Sequence, residues 1–474
     1  MAKSLGRKAI SGTLWTTADR FVSMGLQFAV NLVLAWVLVP EDYGVVAVLA
    51  IFIAVSNTLI DGGFASALIQ QKNPTTVDYS TIFFWNFGFS LFCYLTLFSI
   101  SPLVARFFDM PALESVLRVM GISVVASALG QVQIVRLKKN LEFGTIAVVN
   151  LSSYIFSAAI GVYMAYNGFT YWSLVAMTVV NQVTMTLLYW LVAKWRPSLV
   201  FSFESFKRLF SYAGYLLAAG FLQEACKHLQ GVIIGKRFSE AQLGLYSQAS
   251  KLDQVTSYSV PQALVQVLFP LFSDFQDDRA RLQEMMEMGI RVISAIVFPM
   301  LILLIIVADP LVLALYHEQW LPCVPYFRIL CVGGVFVCLQ NVNFYAVAAC
   351  GYSKTLFHWS FYKWGMLVAL LLVGMFFGMG GLMWSIVLSN MNIYVVNAVL
   401  ARKYVGFSLT RQFRSLLPPL LAGCIPAALV YFIEMDWLLA AVVYVAVYIA
   451  VVFAARMKVI ADMKFILDKF LNKK

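Results

Sequence analysis

Pro40-Glu41-Asp42-Tyr43-Gly44 separates one long apolar run, 13–39, from a second that closes on Phe64-Ala65-Ser66-Ala67-Leu68-Ile69-Gln70-Gln71-Lys72. About 200 residues later the chain writes the same order again, a self-similarity that marks a duplicated architecture. An apolar run ends at Arg237, the break Ser239-Glu240-Ala241-Gln242-Leu243-Gly244 follows, and the next run ends on Val267-Leu268-Phe269-Pro270. Gly44 aligns with Gly244, and Ala67-Leu68-Ile69 with Val267-Leu268-Phe269. The match continues outward. Leu117-Arg118-Val119-Met120-Gly121 pairs with Phe327-Arg328-Ile329-Leu330-Cys331, and Trp172-Ser173-Leu174-Val175 with Trp384-Ser385-Ile386-Val387.

The medium in which these runs sit follows from composition. Hydrophobic residues make up 61% of the 474 positions and charged residues 12%, whereas a soluble domain carries roughly 25% charged residues. So much apolar surface needs lipid as its solvent, and backbone in lipid must pair with itself as helices or a closed barrel. Barrel strands alternate over about 10 residues, but the runs here last about 20. The fold class is therefore all-α, a polytopic membrane protein of about fourteen transmembrane helices.

The expected spans are 13–38, 44–69, 79–104, 113–135, 145–166 and 170–193, then 209–235, 243–271, 285–308, 320–350, 355–377 and 380–401. Two more, 415–433 and 437–455, have no repeat partner. Residues 1–200 are read as an N-lobe, 201–405 as a C-lobe, and 406–474 as two extra helices with a basic tail. An even number of spans makes the six-helix lobes parallel, with a central cavity expected between them. With the N-terminus cytoplasmic, inner loops and tail hold roughly 24 of the 34 Lys and Arg residues, the positive-inside pattern. Both termini are then cytoplasmic. The net charge of +11 is explained by topology and anionic lipid head groups, with no nucleic acid partner.

Ionisable groups at membrane depth are costly and are functional candidates. In the first span Thr16, Asp19, Arg20, Ser23, Gln27 and Asn31 recur at helical spacing, and its repeat partner carries Glu224, Lys227 and His228. Arg20, Gln27, Glu224, Lys227, Lys251 and Arg291 are the candidate substrate-binding residues, and Asp19 and Asp253 the candidates for ion coupling. Guanidinium and ammonium groups are suitable donors to phosphate or pyrophosphate. The competing reading is that Asp19 with Arg20, or Glu224 with Lys227 or His228, are neutral pairs that lock packing, and that Arg291 and Lys363 snorkel. Seven cysteines without a Cys-x-x-Cys spacing and three scattered histidines speak against a disulfide frame or a metal site. There is no Gly-rich phosphate loop and no catalytic constellation, so neither an enzyme nor a bound cofactor is expected.

Four stretches resemble the Wzx-type polysaccharide-transporter branch of the multidrug/oligosaccharidyl-lipid/polysaccharide exporter superfamily, which includes O-antigen and colanic-acid exporters. They are Asp61-Gly62-Gly63-Phe64 through Lys72, Gln133-Ile134-Val135-Arg136-Leu137-Lys138-Lys139-Asn140-Leu141-Glu142-Phe143, Leu243-Gly244-Leu245-Tyr246-Ser247, and 267–278. The resemblance implies a flippase of the bacterial inner membrane. It would carry a polyprenyl-pyrophosphate-linked oligosaccharide to the outer leaflet by alternating access, for O-antigen, capsule or exopolysaccharide synthesis, beside a polymerase and related assembly proteins. Related lipid II flippases use cavity arginines, for which Arg20 is the first-span counterpart. The alternative is a cation-coupled small-molecule or drug exporter, with Asp19 as its acid; a membrane glycosyltransferase would need an outer catalytic loop that is not evident.

Overall fold

In the computed structural model the described residues are 2–471, apart from Val260, Ala263, Leu264, Gln266, Val267, Phe269, Pro270, Leu271 and Glu434. The repeat match at Val267 and Phe269, the Pro270-Leu271 end of the second apolar run, and the last lysines of the basic tail lie outside them. The chain divides into two compact units, Met1–Gly244 and Leu245–Lys474.

The first unit contains α1 (Ala2–Val37), α2 (Pro40–Asp61), α3 (Phe64–Gln70), α4 (Thr76–Phe108), α5 (Ala112–Lys139), α6 (Phe143–Tyr166), α7 (Tyr171–Val192) and α8 (Phe203–Arg237), and the first turn of α9 (Glu240–Asp253). The second holds the rest of α9, a π-helical turn Gln254–Ser259, then α10 (Arg279–Ile306), α11 (Ala308–Tyr316), α12 (Val324–Ala349) and α13 (Ser353–Gly374). It ends with α14 (Gly378–Val405), α15 (Leu409–Phe432), α16 (Trp437–Ala454) and α17 (Val459–Leu471). Among the described residues, 11 segments are long and apolar enough to cross a membrane. One of them, Lys354–Val405, covers both α13 and α14. The two expected spans not among the 11 begin in α8 and α9, whose polar residues interrupt the apolar run. The other twelve expected spans all overlap these 11 segments.

Each unit repeats one packing scheme. In the first, α4 packs on α5 and α5 on α7; in the second, α10 packs on α12 and α12 on α14. The aligned arginines behave alike. Arg118 Nε on α5 donates to Ser101 Oγ of α4 at 3.0 Å, and Arg328 Nε on α12 donates to the Ile305 carbonyl of α10 at 3.0 Å. Without a hydrophobic driving force between helices in lipid, such close packing and interhelical hydrogen bonds hold the bundle.

Two glycines make a crossing possible within the first unit. A Cβ on Gly44 would overlap the carbonyl of Glu240, and one on Gly244 would overlap the carbonyl of Pro40. Positions 40 and 240 are themselves repeat-related, so the α2–α9 contact is self-complementary, as at a two-fold interface. The expected single helix over 44–69 is broken. Gly62 and Gly63 take φ of 50° and 75°, a left-handed backbone that glycine adopts without steric cost. After this break, α3 drops Phe64 and Leu68 into a core with Ile82, Phe83, Val132 and Leu209. Lys139 Nζ caps the end of α3, donating to the carbonyls of Leu68 at 3.1 Å and Ile69 at 3.2 Å.

Candidate functional site

α1 places its polar residues in two different settings. Asp19 accepts from Ser23 Oγ at 3.2 Å and from Asn150 Nδ2 of α6 at 3.3 Å, and Asn150 Oδ1 accepts from the Tyr189 hydroxyl of α7 at 2.8 Å. This chain ties three helices together. Arg20, a step of about 100° round the helix, is exposed and forms no ion pair among the described residues. Gln27 is exposed as well.

α8 is held at both ends. Near its start Arg208 Nη2 donates to Asp78 Oδ1 at 2.5 Å, and near its finish Lys236 Nζ meets Asp109 Oδ2 at 2.9 Å. Both acids flank α4, Asp78 in its first turn and Asp109 at its C-cap. Asp78 is fully buried, and its carboxylate also accepts from the Thr75 backbone N–H at 2.9 Å and the Gln71 amide at 3.1 Å. Between the two clips Glu224 lies 3.8 Å from Lys227 Nζ and 3.4 Å from His228 Nε2. These are local i,i+3 and i,i+4 pairs of the kind the spacing allows. The Lys227 side chain remains 60% exposed.

In the second unit Arg291 is tied down. Its Nε donates to Asp462 Oδ2 of α17 at 2.7 Å, and its Nη1 to Glu287 Oε1 at 2.8 Å. Lys251 is exposed on α9. Asp253 is buried and accepts from the Ser257 hydroxyl in the π-helical turn, a geometry that often marks functional positions. Thus Asp19, Arg20, Gln27, Glu224 and Lys227 belong to one compact unit, and Lys251, Asp253 and Arg291 to the other.

Three polar features were not singled out from sequence: the Asp78 cluster, a pocket at Asp61, and a buried amide network in the second unit. In the last, Asn343 and Gln412 exchange hydrogen bonds at 3.0 and 3.1 Å, and the Tyr394 hydroxyl donates to Gln412 Oε1 at 3.1 Å. Lys363, which the sequence did single out, is buried in the same unit and does not snorkel: its Nζ donates to Asn397 Oδ1 at 2.5 Å and stands 5.5 Å from the Phe344 ring centroid. Polar residues in otherwise apolar spans were the available signal; their partners lie 34 and 69 positions away.

These features define a polytopic helical membrane protein whose first unit combines a tightly clipped frame with exposed cations. The fold is similar to that of lipid II flippase MurJ in an inward closed conformation, with a TM-score of 0.76 and 13% identity over 94% of this chain and 99% of that one. It is also similar to an inward-facing MATE family multidrug resistance transporter, with a TM-score of 0.61 and 14% identity over 80% and 94%. The chain belongs to the family described as Polysaccharide biosynthesis protein, whose model matches residues 33–325. It is 25% identical to teichuronic acid biosynthesis protein TuaB of Bacillus subtilis (strain 168), over 75% of this chain and 74% of the relative. It is 26% identical to lipopolysaccharide biosynthesis protein WzxC of Escherichia coli (strain K12), over 71% and 69%. With succinoglycan biosynthesis transport protein ExoT of Rhizobium meliloti (strain 1021) it shares 25% identity over 76% and 73%.

Proposed function

We propose that this chain is a flippase that carries a polyprenyl-pyrophosphate-linked oligosaccharide across a bacterial inner membrane for surface polysaccharide synthesis. Family membership supplies the substrate class. The observation that carries the mechanism is that α1 and α8 each expose a cation within a membrane-length helix, Arg20 and Lys227. A pyrophosphate crossing the membrane needs such donors, because a dianion left in hydrocarbon would meet a prohibitive desolvation cost. The glycan and pyrophosphate follow this polar path, exposed in turn to each membrane face, while the prenyl chain stays in lipid. Both termini face the cytoplasm, and the translocated unit passes to a polymerase on the outer side.

Arg291 is held by two carboxylates, which supports a structural role for it; Asp19 is engaged in the α1–α6–α7 chain. The test is transport by Arg20→Ala and Lys227→Ala. Each variant is expected to lower surface polymer about tenfold or more, the effect of losing a charged contact of about 1.4 kcal/mol, with the amount of folded protein in the membrane unchanged. Normal polymer from both variants would refute the cationic path.

A further inference from the structure

At the broken end of α2 the first unit contains a pocket of ≈ 370 Å³ lined by Asn57, Thr58, Ile60, Asp61, Ser127, Ala128 and Gln131. Five of these seven side chains carry oxygen, one of them a carboxylate, and none is cationic. Gln131 Nε2 donates to Asp61 Oδ1 at 2.8 Å, and Asp61 forms no ion pair among the described residues. Asn57 Oδ1 is buried without a hydrogen-bond partner among them. A carboxylate and an orphaned carbonyl oxygen on adjoining turns of one membrane-length helix are an expensive arrangement if nothing positive joins them. Asp61 is also the last residue of α2, where helix carbonyls converge with their partial negative charge.

We propose that this pocket binds a monovalent alkali cation, with Asp61 supplying the charge and Asn57, Thr58, Ser127 and Gln131 the neutral oxygens. Hard cations take oxygen ligands, and a divalent ion such as Ca²⁺ recruits six to eight of them, commonly with several carboxylates. A single carboxylate matches a single positive charge. Broken helices whose C-terminal ends face an ion are a recurrent device of coupled transporters. Thr58, one of the lining residues, also packs against α8: a Cβ at Gly220 would lie 3.2 Å from Thr58 Cγ2. Thr58 is thus shared between the pocket and the packing of α8. Glu224 stands one turn further along α8, and Lys227 and His228 about two turns. The proposed binding does not rest on the flippase reading.

Equilibrium dialysis of the purified full-length protein with ²²Na⁺, at constant ionic strength in choline chloride and without substrate, tests the site. Wild type is expected to show saturable binding that unlabelled Na⁺ displaces. Asp61→Asn should weaken it about tenfold or more, since ligand charge sets cation affinity over orders of magnitude, and Asn57→Ala or Ser127→Ala should weaken it less. Size-exclusion profiles check that the variants are folded. No saturable Na⁺ binding in wild type overturns the proposal, as does Asp61→Asn binding like wild type. If Asp61→Asn does not fold, unchanged binding in both Asn57→Ala and Ser127→Ala overturns it. Proton uptake at Asp61 in place of Na⁺ would overturn the alkali-cation assignment. Transport is not measured, so failure of the flippase reading leaves this result intact, and the reverse also holds.

Discussion

The first unit keeps a carboxylate with no cation beside it, and the second keeps an ammonium with no carboxylate beside it. Asp61 opens on a pocket and is met by one glutamine amide. Lys363, 7% exposed, is enclosed by Asn397 and the Phe344 ring, next to an amide pair that has satisfied itself. Both groups would be costly alone in hydrocarbon. One solution is closed, with side chains as the counter-groups; the other leaves a place for something that arrives. The Asp78 cluster belongs with the closed kind. Its carboxylate is saturated by Thr75, Gln71 and Arg208. A polar group filled by its own protein is architecture, whereas one left half-filled in a pocket is where a ligand is proposed.

Substitutions separate the two kinds by stability, read as thermal unfolding of purified protein in Na⁺-free buffer. The largest loss is expected for Asp78→Ala, about 2–3 kcal/mol, from charge-assisted hydrogen bonds and the α4 capping box. Arg208 adds little to that figure because its side chain is 55% exposed. Asn343→Leu should cost about 1–2 kcal/mol by stranding the Gln412 amide, and adding Gln412→Leu together with Tyr394→Phe should recover most of it, because removing all three polar partners leaves nothing unpaired. Asp61→Asn should stay within about 0.5 kcal/mol of wild type. A large loss at Asp61 would place that pocket among the closed, structural kind and erase the contrast.

Much of this was legible in the sequence. The apolar runs gave the helices, and the doubled break placed Gly44 against Gly244 in alignment, though not that each glycine admits the other repeat's carbonyl. Glu224, Lys227 and His228 sit at spacings that bring side chains together on any helix, so their local pairing could be read directly. Arg291 could not be read that way. Its partner Asp462 lies 171 positions away, on a helix that looked like part of a basic tail. The Gly62-Gly63 doublet signalled a turn, but the apolar residues on both sides made one helix look continuous. Asp19 and Arg20 are adjacent in sequence, and this suggested a pair. Helical geometry turns them about 100° apart, and Asp19 finds Asn150 of α6.

The central claim is tested most directly in cells that lack this chain and still make the repeat unit. Their lipids would be extracted and the leaflet holding the polyprenyl-pyrophosphate oligosaccharide determined. The account predicts build-up on the cytoplasmic face with loss of surface polymer, both reversed by restoring the chain. Normal lipid-linked sugar with normal surface polymer would contradict it and favour export of a small molecule.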